Sequence, residues 1–158
     1  MATALDETVI ESIASKLRKL VEERYSKHVV YVYLFGSTAE GRATRESDVD
    51  VAIRFYDNTP REVQWSIVKD LLSTIDEDID VVNLNRASPV LRMAVYSRGK
   101  LVYCNDRYIL FLDQNRTLKL YQDFLHIAKP YYRRMIERIE KRINENLHPI
   151  ASNERERC

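Results

Sequence analysis

Two β-prone runs bracketing a glycine-bearing loop constrain this chain most. The first, Val29–Phe35, is seven β-branched and aromatic residues ending at Gly36, the pattern of a central strand running into a turn. The second, residues 49–55, alternates: Val49, Val51, Ile53 and Phe55 fall on one face, and Asp50, Ala52 and Arg54 on the other. A sheet therefore forms around the loop, and whatever the loop carries is held at one end of that sheet.

Helices and further strands surround this pair. Residues 5–26 place Val9, Ile13, Leu17, Leu20 and Val21 three or four apart among charged residues, which predicts an amphipathic helix. Thr59-Pro60-Arg61-Glu62 has a capping Thr, Pro at the first helical position and Glu three after the cap, and Val63, Ile67, Leu71 and Ile75 carry the helix to near Asp76. Ile79–Leu84 predicts a third strand, Ser88-Pro89 opens a helix that Gly99 ends, and Leu101–Tyr103 predicts a short fourth strand. Asp106 caps a long C-terminal helical region with a break expected at Pro130, and a frayed tail is expected from Ala151.

The order predicts an α/β (α+β) fold with one small mixed sheet flanked by helices and a long C-terminal helix. At 158 residues the chain suits one core, so a single domain is expected over 1–150, with a core at 5–104, a helical region at 106–147 and a tail at 151–158. No apolar run approaches the roughly 20 residues that span a bilayer. The start, Met1–Glu7, lacks the pattern of a secretory signal, so a cytoplasmic location is expected. Cys104 and Cys158 form no metal-ligand spacing and read as free thiols. A net charge of +1 gives no electrostatic case for wrapping nucleic acid, and no direct nucleic-acid binding is expected.

The chemistry concentrates between Leu34 and Ile53, a stretch with two of the three glycines, Gly36 and Gly41. Gly36 and Ser37 follow a strand, so their backbone N–H groups can converge on a phosphate with no side chain in the way. Side chains two apart in a strand share a face, so Asp48 and Asp50 project together while Val49 and Val51 anchor the other face. Paired carboxylates repel unless neutralised, and two hard oxygen ligands beside a phosphate cradle suit Mg²⁺. The Gly36–Gly41 spacing also fits a Walker loop, but Arg42-Ala43 stands where Lys and a Mg²⁺-binding hydroxyl belong, and a carboxylate-bearing strand follows in place of a helix. Asp78 and Asp80 share a face of the third strand, and spacing alone does not choose between them. Asp80 is preferred as the third carboxylate because Ile79, Val81 and Val82 enclose it, whereas Asp76-Glu77-Asp78 reads as a solvated turn. His28, His126 and His148 are in no arrangement with a nucleophile and receive no role.

Gly36-Ser37, ten residues, then Asp48-Val49-Asp50, with Asp80 on a neighbouring strand, resembles the signature of the DNA polymerase beta-like nucleotidyltransferase superfamily. Within it, the short chain, the stretches Ser47–Val51 and Asp80–Leu84, and residues 88–106 look like the minimal nucleotidyltransferases. The resemblance implies the polymerase beta-like fold, two Mg²⁺ ions held by Asp48, Asp50 and Asp80, and ATP as the donor of AMP. It also implies a HEPN-domain ribonuclease toxin as partner, adenylylated on a tyrosine, with this chain as its antitoxin. Many relatives carry a basic residue where Glu40 stands, which leaves phosphate charge to Arg42 and Arg45. Two other expectations compete. An aminoglycoside-type enzyme would use the same metal site on a small molecule but usually needs a further domain, and a binding-only antitoxin would have no need of the carboxylates.

The apolar residues of the C-terminal region, among them Phe124, Tyr131, Tyr132, Met135 and Ile136, outnumber what a small sheet needs. They read first as packing on their own domain and second as a docking face for a partner.

Overall fold

The computed structural model describes residues 7–36, 49–76 and 79–156. Its elements run α1 (Glu7–Leu20), a π-helical turn (Val21–Tyr25), β1 (Val29–Phe35), β2 (Val49–Phe55), α2 (Arg61–Thr74), β3 (Ile79–Asn83), α3 (Pro89–Arg98), β4 (Lys100–Cys104) and α4 (Arg107–Glu156). The strands form one sheet in the order β3-β2-β1-β4. β1 pairs antiparallel with β2 and β4, and β2 pairs parallel with β3 through the α2 crossover, so the sheet is mixed, as the sequence predicts.

Alternation along the strands builds two apolar layers. On one face, Ile13 and Leu17 of α1 and Ile67 and Leu71 of α2 pack on Val51 and Ile53. On the other, Val95 of α3 and Leu110 of α4 pack on Tyr31, Tyr33 and Ala52. Strict alternation fails twice: a register shift between Val29 and Tyr31 puts Val30 and Tyr31 in the same layer, as a bulge does, and a second shift, in the β1–β4 pairing, puts Val102 and Tyr103 together in the other. Arg18 ties α1 to the edge of the sheet by donating from Nε to the Val102 carbonyl at 2.9 Å.

Two local expectations change, at Thr59 and Pro130, and one that holds, at Gly99, gains a physical reason. Thr59 does not cap α2: Pro60 holds the cap position, and the Thr59 hydroxyl donates to the His28 carbonyl at 3.3 Å, tying the loop to the start of β1. Gly99 ends α3 in extended backbone, and its need for glycine is space. A Cβ there would strike the Val95 carbonyl oxygen and come within 3.1 Å of the Leu34 carbonyl oxygen. The break expected at Pro130 is absent, and α4 is helical through it to Glu156, beyond Ala151. Proline removes one backbone hydrogen bond, while the turns on either side keep theirs. Ser88 and Asp106 do cap as expected, accepting from Leu91 N–H at 3.2 Å and from Tyr108 and Ile109 N–H at 3.0 and 3.1 Å.

The chain groups into two compact units, Met1–Leu118 and Lys119–Cys158. The sheet and both apolar layers belong to the first, and the second is the remainder of α4. Among the described residues no helix is long and apolar enough to cross a membrane.

Candidate active site

The last turn of β1 and the first residues of β2 and β3 meet at one end of the sheet. Phe35 is the register partner of Asp50, which sets Gly36 beside that carboxylate. Gly36 is the only described residue with positive φ, +74°, a left-handed conformation that side chains other than glycine disfavour. A Cβ there would strike the Asp50 carboxylate and lie 3.2 Å from its Cγ, so the carboxylate rests directly on the glycine. Both the backbone turn and the close approach require glycine.

Asp50 is in turn the register partner of Asp80 across the parallel β2–β3 pair. Partners in adjacent strands point to the same face about 4.8 Å apart, so the two carboxylates rise side by side. Asp50 shares its face with Ala52 and Arg54, the side covered further along by α3 and α4. Asp80 is exposed, which corrects the expectation that its apolar neighbours enclose it. Ile79 and Val81 point to the opposite face, and β3 is an edge strand of the described sheet, so these two neighbours do not shield the carboxylate. The register with Asp50, rather than enclosure, associates Asp80 with the site.

Asp48, Ser37, Arg42, Arg45 and the alternative carboxylate Asp78 lie outside the described residues. Among the described residues no group of three or more His, Cys, Asp or Glu converges as a metal site. The donors that are described nevertheless fit Mg²⁺ in kind. Two carboxylates in register on adjacent strands offer the hard oxygen donors that Mg²⁺ takes.

Sequence reasoning missed the polar cluster behind this site on the same face. Asp113 of α4, 7% exposed, accepts from Arg54 Nε at 2.9 Å and from the Tyr31 hydroxyl at 2.8 Å. Tyr31 and Tyr96 hydroxyls lie 2.6 Å apart, and the rings of Tyr31, Tyr33 and Tyr96 pack edge to face. Burial opposes the charge on Arg54, but hydrogen bonds to Asp113 and Asp57 outweigh it and hold the guanidinium more firmly protonated than usual. Burial first, then the Tyr96 hydroxyl and Asp113, push the Tyr31 phenol well above its ordinary value, and burial raises Tyr96 too. The available signal was Arg54: a cation on the alternating strand, between Ala52 and the core, requires a buried partner.

Comparison with known proteins follows the same lines. Residues 15–108 match the family model described as polymerase beta, nucleotidyltransferase. The protein adenylyltransferase MntA of Shewanella oneidensis is 35% identical over 89 residues, which are 56% of this chain and 63% of that protein. A putative protein adenylyltransferase of Methanocaldococcus jannaschii is 33% identical over 66 residues, 42% of this chain and 64% of that protein. The matches thus span under two thirds of those relatives' length. Among solved structures, a toxin-antitoxin complex with AMP-PNP contains a chain that superposes with a TM-score of 0.66 at 28% identity, covering 78% of this chain and 98% of that one. A complex of tri-AMPylated Shewanella oneidensis HEPN toxin with its MNT antitoxin gives 0.62 at 25% identity, covering 80% and 98%.

Proposed function

Because the chain belongs to the polymerase beta nucleotidyltransferase family, we propose that it transfers AMP from ATP to a tyrosine hydroxyl of a HEPN toxin, with Mg²⁺, and so acts as an antitoxin. The observation that carries the reading is Asp50, lying against Gly36 and in register with Asp80. The names of the relatives, protein adenylyltransferases and an antitoxin bound to an AMPylated HEPN toxin, support a protein acceptor over a small molecule.

The roles follow from the resemblance and the strand pattern. Gly36 and Ser37 would present backbone N–H groups to the triphosphate, and Arg42 and Arg45 would supply positive charge to its phosphates. Asp48, Asp50 and Asp80 would hold two Mg²⁺ ions. When bound, the ions offset the triphosphate charge and lower the pKa of the acceptor hydroxyl. The acceptor hydroxyl gives its proton to water and its oxygen forms a bond to the α-phosphorus; the bond from that phosphorus to the β-phosphate's bridging oxygen breaks, and pyrophosphate leaves. The carboxylates keep acceptor and phosphate in line, and no histidine is required as base.

The test is intact-mass analysis of the toxin after incubation with this chain, ATP and Mg²⁺, beside Asp48→Ala and Asp80→Ala. The expected result is a gain of one or more AMP units with the wild type and none with either variant. Tight complex formation without a mass gain would replace the reading with occlusion. Neither binding nor transfer would put the small-molecule enzyme in its place.

A further inference from the structure

The second unit reverses the usual arrangement of apolar residues. In Lys119–Cys158, Ile127 is 77% exposed, Tyr131 67%, Ile136 51% and Ile143 52%. Phe124, Tyr132, Met135 and Ile139 recur at spacings of three to eight residues, which puts much of this surface along one side of the helix. The family model ends at residue 108, so this segment lies outside the domain shared with the family. Contiguous exposed apolar surface of this kind marks a contact face.

Charge identifies what covers it. Between residues 129 and 142 stand six cations, Lys129, Arg133, Arg134, Arg138, Lys141 and Arg142, against two acids, Glu137 and Glu140. The whole chain carries only +1, so positive charge is concentrated here and the remainder is net acidic. Pairing the segment with a second copy would bring two such excesses together in any register. A groove of about 360 Å³ runs between Phe124, Ala128, Tyr132 and Ile136, with Arg133 and Glu137 at its side. Small Ala128 between two aromatics leaves a notch for one side chain, and tyrosine and arginine are the residues that most often carry interface energy. Glu137 in the contact face would be repelled by an anionic membrane, whereas a protein can offer it a cation.

We propose that the Phe124–Ile143 face of α4 is the docking surface for the toxin, which meets it with an apolar patch bordered by acidic side chains. The proposal rests on the toxin reading above and adds where the toxin is held. Docking here uses none of the residues assigned to the reaction, so its loss lowers the effective concentration of the acceptor and leaves the transfer step unchanged.

The experiment titrates the full chain against its cognate HEPN toxin by calorimetry at two salt concentrations, using wild type, Arg133→Glu/Arg138→Glu and Tyr132→Ala/Ile136→Ala. These positions are on the helix surface, and circular dichroism checks that helicity is kept. The expected result is at least tenfold weaker binding by both variants, with the charge variant losing most of the salt dependence. AMP transfer should show raised KM for toxin and unchanged kcat. Wild-type binding with unchanged affinity in both variants would overturn the docking proposal alone. Absence of wild-type binding and transfer would overturn the toxin reading along with it. Self-association of the wild type that either variant abolishes would assign the face to a second copy. Co-sedimentation with phosphatidylserine vesicles would assign it to a membrane.

Discussion

Two carboxylate settings on one face of the sheet differ in what faces them. Asp113 is buried against opposite charge, with Arg54 at 2.9 Å and the Tyr31 hydroxyl at 2.8 Å. Asp50 has a second carboxylate, Asp80, as its register partner, and it lies on a glycine held in left-handed backbone. A buried ion pair that satisfies itself stabilises the closed fold only while both partners remain. Like charges at the mouth of a turn oppose the fold locally and favour whatever cation binds there. The same residue type thus serves structure at one end of the strand and is proposed to serve chemistry at the other.

The sharpest way to break this comparison is Asp50→Ala. It should lower transfer on the order of a thousandfold in a chain that circular dichroism shows to be folded. Retained activity, or a collapsed melting temperature, would place Asp50 on the structural side. Asp113→Ala should do the reverse. It leaves the largely buried Arg54 with the exposed Asp57 as its remaining carboxylate among the described residues, so denaturant titration should show a loss of about 3 kcal/mol, with kcat per folded molecule close to wild type.

Gly36→Ala tests the contact that joins backbone to site. The residue would be strained at φ +74° and its Cβ would displace the Asp50 carboxylate, so about 1–2 kcal/mol of stability and much of the activity should be lost together. Normal activity in that variant would mean the carboxylate works from another position.

The smallest effect concerns alkaline pH. Tyr31, Tyr33 and Tyr96 have phenols raised above 10 in the folded chain, chiefly by burial, so the folded state holds protons that the unfolded chain releases. Their contribution is fully present below pH 10 and is lost as pH rises above it. Unfolding midpoints measured from pH 8 to 11 should fall at the alkaline end, and Tyr96→Phe should flatten that fall. An unchanged slope would remove Tyr96 from the linkage.

Much of this was legible in the chain. The Val29–Phe35 run, the alternation at 49–55 and the caps Ser88 and Asp106 each act within a few residues, and each produced its element where expected. The reasoning that favoured Asp80 did not survive, because its flanking apolar residues face the other way, yet the same residue is associated with the site by its register with Asp50. Thr59 looked like a cap from its neighbours and is instead held by His28, a residue far away in sequence. Pro130 looked like a break because the cost of one missing hydrogen bond is local, whereas the helix around it is sustained by many.

By itself the sequence determined the period of each element, the polar face of β2 and the glycine at the end of β1, since these follow from side-chain direction and backbone freedom at single positions. Only the tertiary structure decided that β3 pairs parallel to β2 with Asp80 opposite Asp50, and that Asp113 reaches Arg54 across 59 residues. Strand register and buried ion pairs depend on where distant segments settle against one another, and no local pattern encodes that distance.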